Sequence, residues 1–165
     1  RVVALTIASY MAVLGGAYKD FDEAFVNLER KIESGEAIDK LKEFIRIQGG
    51  DEEIVDNPDK LPQAKYHIEI KAQSSGYVNE INAEKIGNAA MLLGAGRKTK
   101  EDLIDYGAGI SLVKKIGDSI KTGDVIAILH TDKKENQVAK ILVDDAYKIS
   151  KNQPTKLKYV YDVIM

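Results

Sequence analysis

Two dipeptides, Asn57-Pro58 and Leu61-Pro62, divide this chain of 165 residues into stretches with different hydrophobic periods. Proline disfavours helix at the residue before it, so the pair marks an irregular crossing and the clearest boundary in the sequence. Before the boundary apolar residues return every three to four positions, the period of a helix; after it they alternate, the period of a half-buried strand. The expected class is therefore α+β, with N-terminal helices followed by a compact mixed α/β domain. The segments are 1–62 and 63–165.

In the first segment Val3, Ile7, Met11 and Leu14, with Tyr10 beside them, predict a helix that Gly15-Gly16 ends. Its other side carries Ala4, Ala8 and Ala12. A helix apolar nearly all round is normally buried on several sides, and here part of that cover is expected to be missing, leaving exposed apolar surface. Asp20 or Asp22 caps a second helix, with Phe25, Leu28 and Ile32 on one face and Gly35 beyond its end. A third runs from about Glu36 to Gln48 with Ile38, Leu41 and Ile45 inward. Asp51 to Pro62 reads as a short helical turn and a linker.

After the boundary, Tyr66, Ile68, Ile70 and Ala72 alternate with His67, Glu69 and Lys71 in a first strand. Tyr77 to Asn82 follows as a second, Glu84 to Leu93 as a helix, and Thr99 with Asp102 as the start of a short helical turn. Gly107 to Val113, Ser119-Ile120 and Val125 to His130 are strand-like, separated by the turn signals Gly117-Asp118 and Gly123-Asp124. Glu135 to Tyr147 returns to helical spacing. A last strand is predicted over Leu157 to Ile164, with Tyr159, Tyr161 and Val163 on one face.

Composition removes several classes of function. A net charge of −2 supplies no clustered positive charge for nucleic acid. No run approaches the roughly 20 apolar residues of a membrane span, since Ser9 and Tyr10 interrupt the longest. The absence of cysteine excludes disulfides and thiolate metal sites and fits a reducing, cytoplasmic setting. Because the chain begins at Arg1 within a helical pattern, it is expected to be a piece of a longer protein.

Chemical candidates are few. His67 and His130 fall in separate predicted strands with no Asp, Glu or His at metal-ligand spacing; a metal site needs three or four convergent ligands, so both read as polar residues on outward strand faces. No serine lies in a Gly-x-Ser-x-Gly elbow, and Asp144-Asp145 reads as surface charge. The run Ala89-Ala90-Met91-Leu92-Leu93-Gly94-Ala95-Gly96-Arg97 ends an apolar stretch in two glycines and a cation. It suits a buried element stopping against a tight turn, and it lacks the spacing of a nucleotide loop. Gly94, Gly96 and Arg97, with Lys98 and Lys100 behind them, are nonetheless the residues best suited to approach a phosphate.

Several blocks carry a family resemblance. Gln48-Gly49-Gly50-Asp51, Asp56-Asn57-Pro58, Leu61-Pro62-Gln63-Ala64-Lys65-Tyr66, Gly76-Tyr77-Val78, Ile86-Gly87-Asn88 running into Ala89 to Arg97, Gly107-Ala108-Gly109-Ile110, Lys114-Lys115-Ile116-Gly117-Asp118 and Lys158-Tyr159-Val160-Tyr161 occur in order. Together they resemble the C-terminal region of the pyrimidine-nucleoside phosphorylases, the thymidine phosphorylase family. Separately, Gly117 to Ile126 resembles the barrel-sandwich hairpin of biotinyl and lipoyl carriers, which places Lys133 where a carrier presents its modified lysine. Against a carrier, Glu135 to Tyr147 reads as a helix where a return strand is required. The phosphorylase family uses a similar hairpin with no attached cofactor.

The phosphorylase resemblance implies a parent enzyme in which phosphate attacks C1′ of a uridine or thymidine type nucleoside. It also implies that the catalytic groups, the Lys-x-Ser-Thr-Gly-Gly phosphate loop and a potassium site lie upstream, because none of those motifs occurs in this chain. The expectations that follow are a structural role, no catalytic residue, cofactor or metal in this piece, inorganic phosphate as the parent's co-substrate, and the rest of the parent chain as partner. The parent is expected to be a homodimer. A bare interaction module is the remaining alternative.

Overall fold

A computed structural model describes residues 1–155 and 158–164, which fall into two compact units, one of residues 1–60 with 158–164 and the other of residues 61–155. In the first, α1 spans Val2–Leu14, α2 Phe21–Glu33 and α3 Glu36–Ile47. Two 3-10 turns follow, Glu52–Val55 and Pro58–Lys60. Asp20 caps α2, its carboxylate accepting from the Glu23 amide at 3.0 Å, while the Glu23 carboxylate reaches back to the Lys19 amide at 3.0 Å. Tyr10, Phe21 and Phe25 then stack in series, with ring centres 4.7 and 5.7 Å apart.

Burial in this unit agrees with the sequence reading for α1, whose apolar surface is partly uncovered, and departs from it for α3. On α1 the covered face is Leu5 and Ser9, whereas Val3, Ile7, Met11 and Leu14 are exposed. Ser9 Oγ donates to the Leu5 carbonyl at 2.7 Å, so its hydroxyl is satisfied within the helix and a small residue sits where α2 approaches. On α3, Ile38, Leu41 and Phe44 are exposed and only Ile45 of the expected inward set is half-buried. Three helices of 12 or 13 residues have too little surface to cover both sides of α1 and the stripe of α3.

The second unit contains β1 (Tyr66–Lys71), β2 (Gly76–Ile81), α4 (Ala83–Ala90) running into a wide turn at Met91–Ala95, β3 (Gly109–Leu112), β4 (Ser119–Ile120), β5 (Val125–Thr131), α5 (Gln137–Ala146) and β6 (Tyr147–Ser150). The strands make two antiparallel sheets ordered β1-β5-β3 and β4-β2-β6, with no closed barrel among the described residues. The α+β class therefore holds. Helices α4 and α5 pack on each other. Ile70, Val78, Leu93, Ile126, Leu129 and Val143 form the continuous core.

Two tetrapeptides with the same pattern, Lys115 to Asp118 and Lys121 to Asp124, fold alike. In each the aspartate carboxylate accepts from the lysine amide, at 2.7 and 2.9 Å, and the aspartate amide donates to the lysine carbonyl at 3.0 Å. They flank β4, which pairs with β2 rather than with β5. The turns are those the sequence announces; a local β4–β5 hairpin is not among the pairings. The last predicted strand is also corrected. Residues 158–164 join no ladder, while Leu157 lies outside the described residues. The partner of β2 is β6, which directly follows α5 because Tyr147 and Ile149 have the β-prone side chains that Asp144-Asp145 lack.

Tyr147 ties the sheets together. Its hydroxyl lies 3.0 Å from the Ile126 carbonyl and 3.1 Å from that of Lys114, and burial, then the nearby Asp118 charge, pushes it up to about 12. The folded state holds this proton more tightly than the unfolded chain does, so its contribution is complete below pH ~10 and is lost as pH rises toward 12. Tyr147→Phe is expected to cost about 1–2 kcal/mol at pH 7, read by urea denaturation, and to flatten the fall in stability above pH ~10. An unchanged urea midpoint would show that the hydroxyl contributes nothing.

Candidate functional site

The residues named from sequence meet at the C-terminal end of α4. There the helix widens through Met91–Ala95, and Gly94 is buried with φ 122°. The Gly94 carbonyl accepts from the Asp105 amide at 3.0 Å. One residue earlier, the Leu93 carbonyl accepts from Thr131 Oγ1 at 3.0 Å. Before that, the Leu92 carbonyl accepts from Lys133 Nζ at 2.8 Å. These carbonyls are ones a helix end leaves without intrahelical donors; the end of β5 and a residue beyond it supply those of Leu93 and Leu92, and Asp105 supplies that of Gly94. Thr131 is fully buried and its oxygen also accepts from the Lys133 amide at 3.1 Å. Sequence reasoning missed Thr131. Its only signal is a hydroxyl at an inward position of an apolar strand.

Beyond Gly96, which packs on the Met91 side chain, the chain makes a turn closed by Asp102. The Asp102 carboxylate accepts from the amides of Lys98 and Thr99 at 2.8 and 3.1 Å and from Thr99 Oγ1 at 3.1 Å. The Thr99 amide, then the other donors, holds this carboxyl below the usual carboxylate range. One hydrogen-bonded turn follows Thr99, whose carbonyl accepts from the Asp102 amide at 3.3 Å, and no helix continues from it. Adjacent amides and a hydroxyl converging on one carboxylate make an anion nest already filled by the chain's own anion.

A cavity of about 330 Å³ opens beside this turn, lined in part by Met91, Gly94, Gly96, Lys98, Asp102 and Lys133. Arg97 and Lys100 are exposed, and Arg97 is not among the lining residues. Two lysines and one aspartate thus face the cavity. Lys133 does not stand at a hairpin tip: its ammonium donates to Leu92, and the chain goes on into α5 rather than into a return strand.

The two histidines, 63 positions apart, are direct cross-strand partners in β1 and β5. Their Nδ1 atoms are 2.7 Å apart, and His130 Nε2 lies 2.8 Å from Ser111 Oγ on β3. They stand outward as expected, but as a pair instead of singly. Burial, then the His67 charge, lowers the His130 pKa. A histidine with a depressed pKa stabilises the fold above its unfolded value of about 6.5 and loses that contribution as pH falls below it. Among the described residues, no three His, Asp or Glu side chains converge as a metal cage, and no helix is long and apolar enough to cross a membrane.

Residues 77–150 match the family described as Pyrimidine nucleoside phosphorylase C-terminal domain. The curated relatives agree along most of the chain, which is similar to pyrimidine-nucleoside phosphorylases. The pyrimidine-nucleoside phosphorylase of Staphylococcus epidermidis is 50% identical over 131 residues, 79% of this chain and 30% of that protein. That of Bacillus subtilis is 47% identical over 139 residues, 83% of this chain and 32% of that protein. That of Staphylococcus aureus is 46% identical over 144 residues, 87% and 32% respectively. The chain thus spans about a third of the length of the relatives it matches.

Proposed function

We propose that this chain is the C-terminal part of a pyrimidine-nucleoside phosphorylase and that its role there is structural. In the whole protein, an oxygen of inorganic phosphate attacks C1′ of a uridine or thymidine type nucleoside. The bond from C1′ to the base nitrogen breaks, leaving pentose 1-phosphate and the pyrimidine. The transition state is oxocarbenium-like, so the enzyme must hold phosphate with fixed donors and stabilise the base as it gains negative charge. Identity of 46–50% to pyrimidine-nucleoside phosphorylases along about a third of their length is the observation that carries this reading.

In this reading residues 1–62 belong to the parent's catalytic α/β domain, and residues 63–165 form a C-terminal domain that supports closure of its cleft. The exposed apolar faces of α1 and α3 support the first part, since such faces are ordinarily covered by further structure. The phosphate loop and a potassium site are assigned upstream, the parent is a cytoplasmic homodimer, and this piece alone is inactive. Gly94, Gly96 and Arg97 remain the residues assigned nearest to phosphate.

The test is phosphate-dependent release of uracil and thymine from uridine and thymidine by the full-length protein and by the 165-residue chain. Release by the full-length protein alone is expected. Release by the 165-residue chain would overturn the structural role, and release by neither would overturn the activity. For the turn, Arg97→Ala in the full-length protein is expected to raise KM for phosphate; an unchanged KM removes that assignment.

A further inference from the structure

His67 and His130 lie opposite each other on β1 and β5, with Nδ1 atoms 2.7 Å apart and His130 Nε2 2.8 Å from Ser111 Oγ on β3. A head-on contact of two imidazole nitrogens holds a single proton: one ring donates its Nδ1–H and the other offers its lone pair. The contact survives when both rings are neutral and when one is a cation. It fails when both are cations. N–H bonds of about 1 Å would then leave the two hydrogens roughly 0.7 Å apart across the 2.7 Å gap, between two like charges. The proton therefore belongs to the pair, and a second one requires the rings to part.

We propose that the His67–His130 pair is an acid-released latch on the start of β1, and that its opening loosens the support of the Gly94 turn. In the β1-β5-β3 sheet, β1 is an outer strand paired with β5 alone. Past the histidines, this end of β1 is tied by the Tyr66–Thr131 pairing and by the Lys65 amide, which donates to Asp132 Oδ1 at 2.7 Å. Ala64, just ahead of the strand, is buried, and a methyl on Gly107 would lie 3.0 Å from the Gln63–Ala64 backbone. Asp105 accepts from the Gly107 amide and donates its own amide to the Gly94 carbonyl. When the rings part, the start of β1 lifts from β5, and the 105–108 segment loses the backbone it rests on.

The charged groups nearby leave the pair to decide the matter. Glu69, two residues along β1, is paired with Lys71 at 3.3 Å, and Asp132 is engaged by the Lys65 amide. On the other side, β3 brings the uncharged Gly109 and Ser111 alongside His130. Apart from burial, the charge that bears on His130 is that of His67. Below the unfolded histidine value of about 6.5 the closed pair carries one proton and the open pair two, so opening takes up one proton. The latch is shut above that pH, and opening becomes about tenfold easier for each unit of pH below it. It draws on nothing in the phosphorylase reading.

The experiment is amide hydrogen exchange of the full-length protein followed by mass spectrometry, with rates corrected for their intrinsic pH dependence, on the unsubstituted protein and on His67→Gln. A glutamine amide donates to His130 Nδ1 or, turned over, accepts from Nδ1–H, so it keeps the bond and removes the conflict. Between pH ~6 and ~5, protection of peptides covering 64–68 and 105–108 is expected to fall about tenfold in the unsubstituted protein and less than about twofold in His67→Gln. Circular dichroism and equal protection at pH 7.5 confirm that the variant folds. Protection that ignores pH in the unsubstituted protein, or an equal fall in both proteins, would overturn the latch. A fall over 64–68 with 105–108 unmoved would overturn its link to the Gly94 turn.

Discussion

Gly76→Ala is expected to break the pairing of β2 with β6 and to lower stability by more than about 3 kcal/mol, enough to unfold a marginal domain. Gly76 opens β2 at φ 153°, a conformation that L side chains rarely adopt. A methyl there would sit 2.3 Å from the Ser150 carbonyl oxygen and 3.0 Å from Ile149 Cγ2. Neither neighbour can give way cheaply, because one is backbone and the other packs against the core. The strands would have to separate, exposing Val78, which is fully buried. Gly87→Ala is the natural control. Gly87 lies within α4, exposed and with nothing within 4 Å of the added methyl, so the same substitution is expected to stabilise by about 0.5–1 kcal/mol. Urea denaturation of the two variants should move the midpoint in opposite directions. Equal shifts would mean that the close approach at Gly76 is not what holds the second sheet.

Sequence period placed most of the elements because local rules decide them, but it put a last strand beyond Pro154 and missed β6. Alternation from Tyr66 to Ala72 gave β1, and the repeated Lys-x-Gly-Asp pattern gave the two turns around β4. What period does not encode is which strand pairs with which. Period 2 says that His67 and His130 face outward; only register makes them partners. In the same way Ser119-Ile120 reads as a strand, but nothing local says that its partner is β2 across more than 40 residues. Tyr147 was read as the end of a helix because the apolar spacing of α5 runs into it, and its hydroxyl bonds to Lys114 and Ile126 depend on tertiary placement. The helical unit shows the opposite limit. The stripes of α1 and α3 are correctly periodic, yet periodicity cannot say whether a cover is present.

The candidate site was legible in part. Gly94 and Gly96 marked a turn, and the structure gives each a packing contact; Thr131 and the filling of the nest by Asp102 depend on atoms far apart in sequence or on a bend no pattern announces. The nest bears on the assignment of phosphate to this turn. An incoming anion would have to displace the Asp102 carboxylate from three donors, or bind to Lys98 and Arg97 side chains outside it. Arg97 is therefore the informative substitution on the ligand side, and Gly94 on the packing side.

Gly94→Ala is expected to lower stability by about 2–4 kcal/mol, whereas Arg97→Ala should stay within about 0.5 kcal/mol of the parent. A methyl on Gly94 would lie 3.1 Å from Asp105 Cβ and 3.5 Å from Ala108 Cβ, in a backbone region strained for alanine at φ 122°. Relief requires moving the 105–108 segment, but that segment is fixed at both ends. Asp105 donates its amide to Gly94 itself, and its carboxylate accepts from the Gly107 amide at 3.0 Å. Gly107 in turn packs so closely on the Gln63–Ala64 backbone that its own added methyl would be 3.0 Å away. Strain at Gly94 thus reaches the chain just ahead of β1. The adjoining carbonyls of Leu92 and Leu93 risk losing Lys133 and Thr131, and a buried carbonyl without its donor costs about 1–3 kcal/mol. Urea denaturation of both variants checks the contrast. A Gly94→Ala midpoint equal to that of the parent would show that this turn is not held by packing and that its glycines serve something other than the fold.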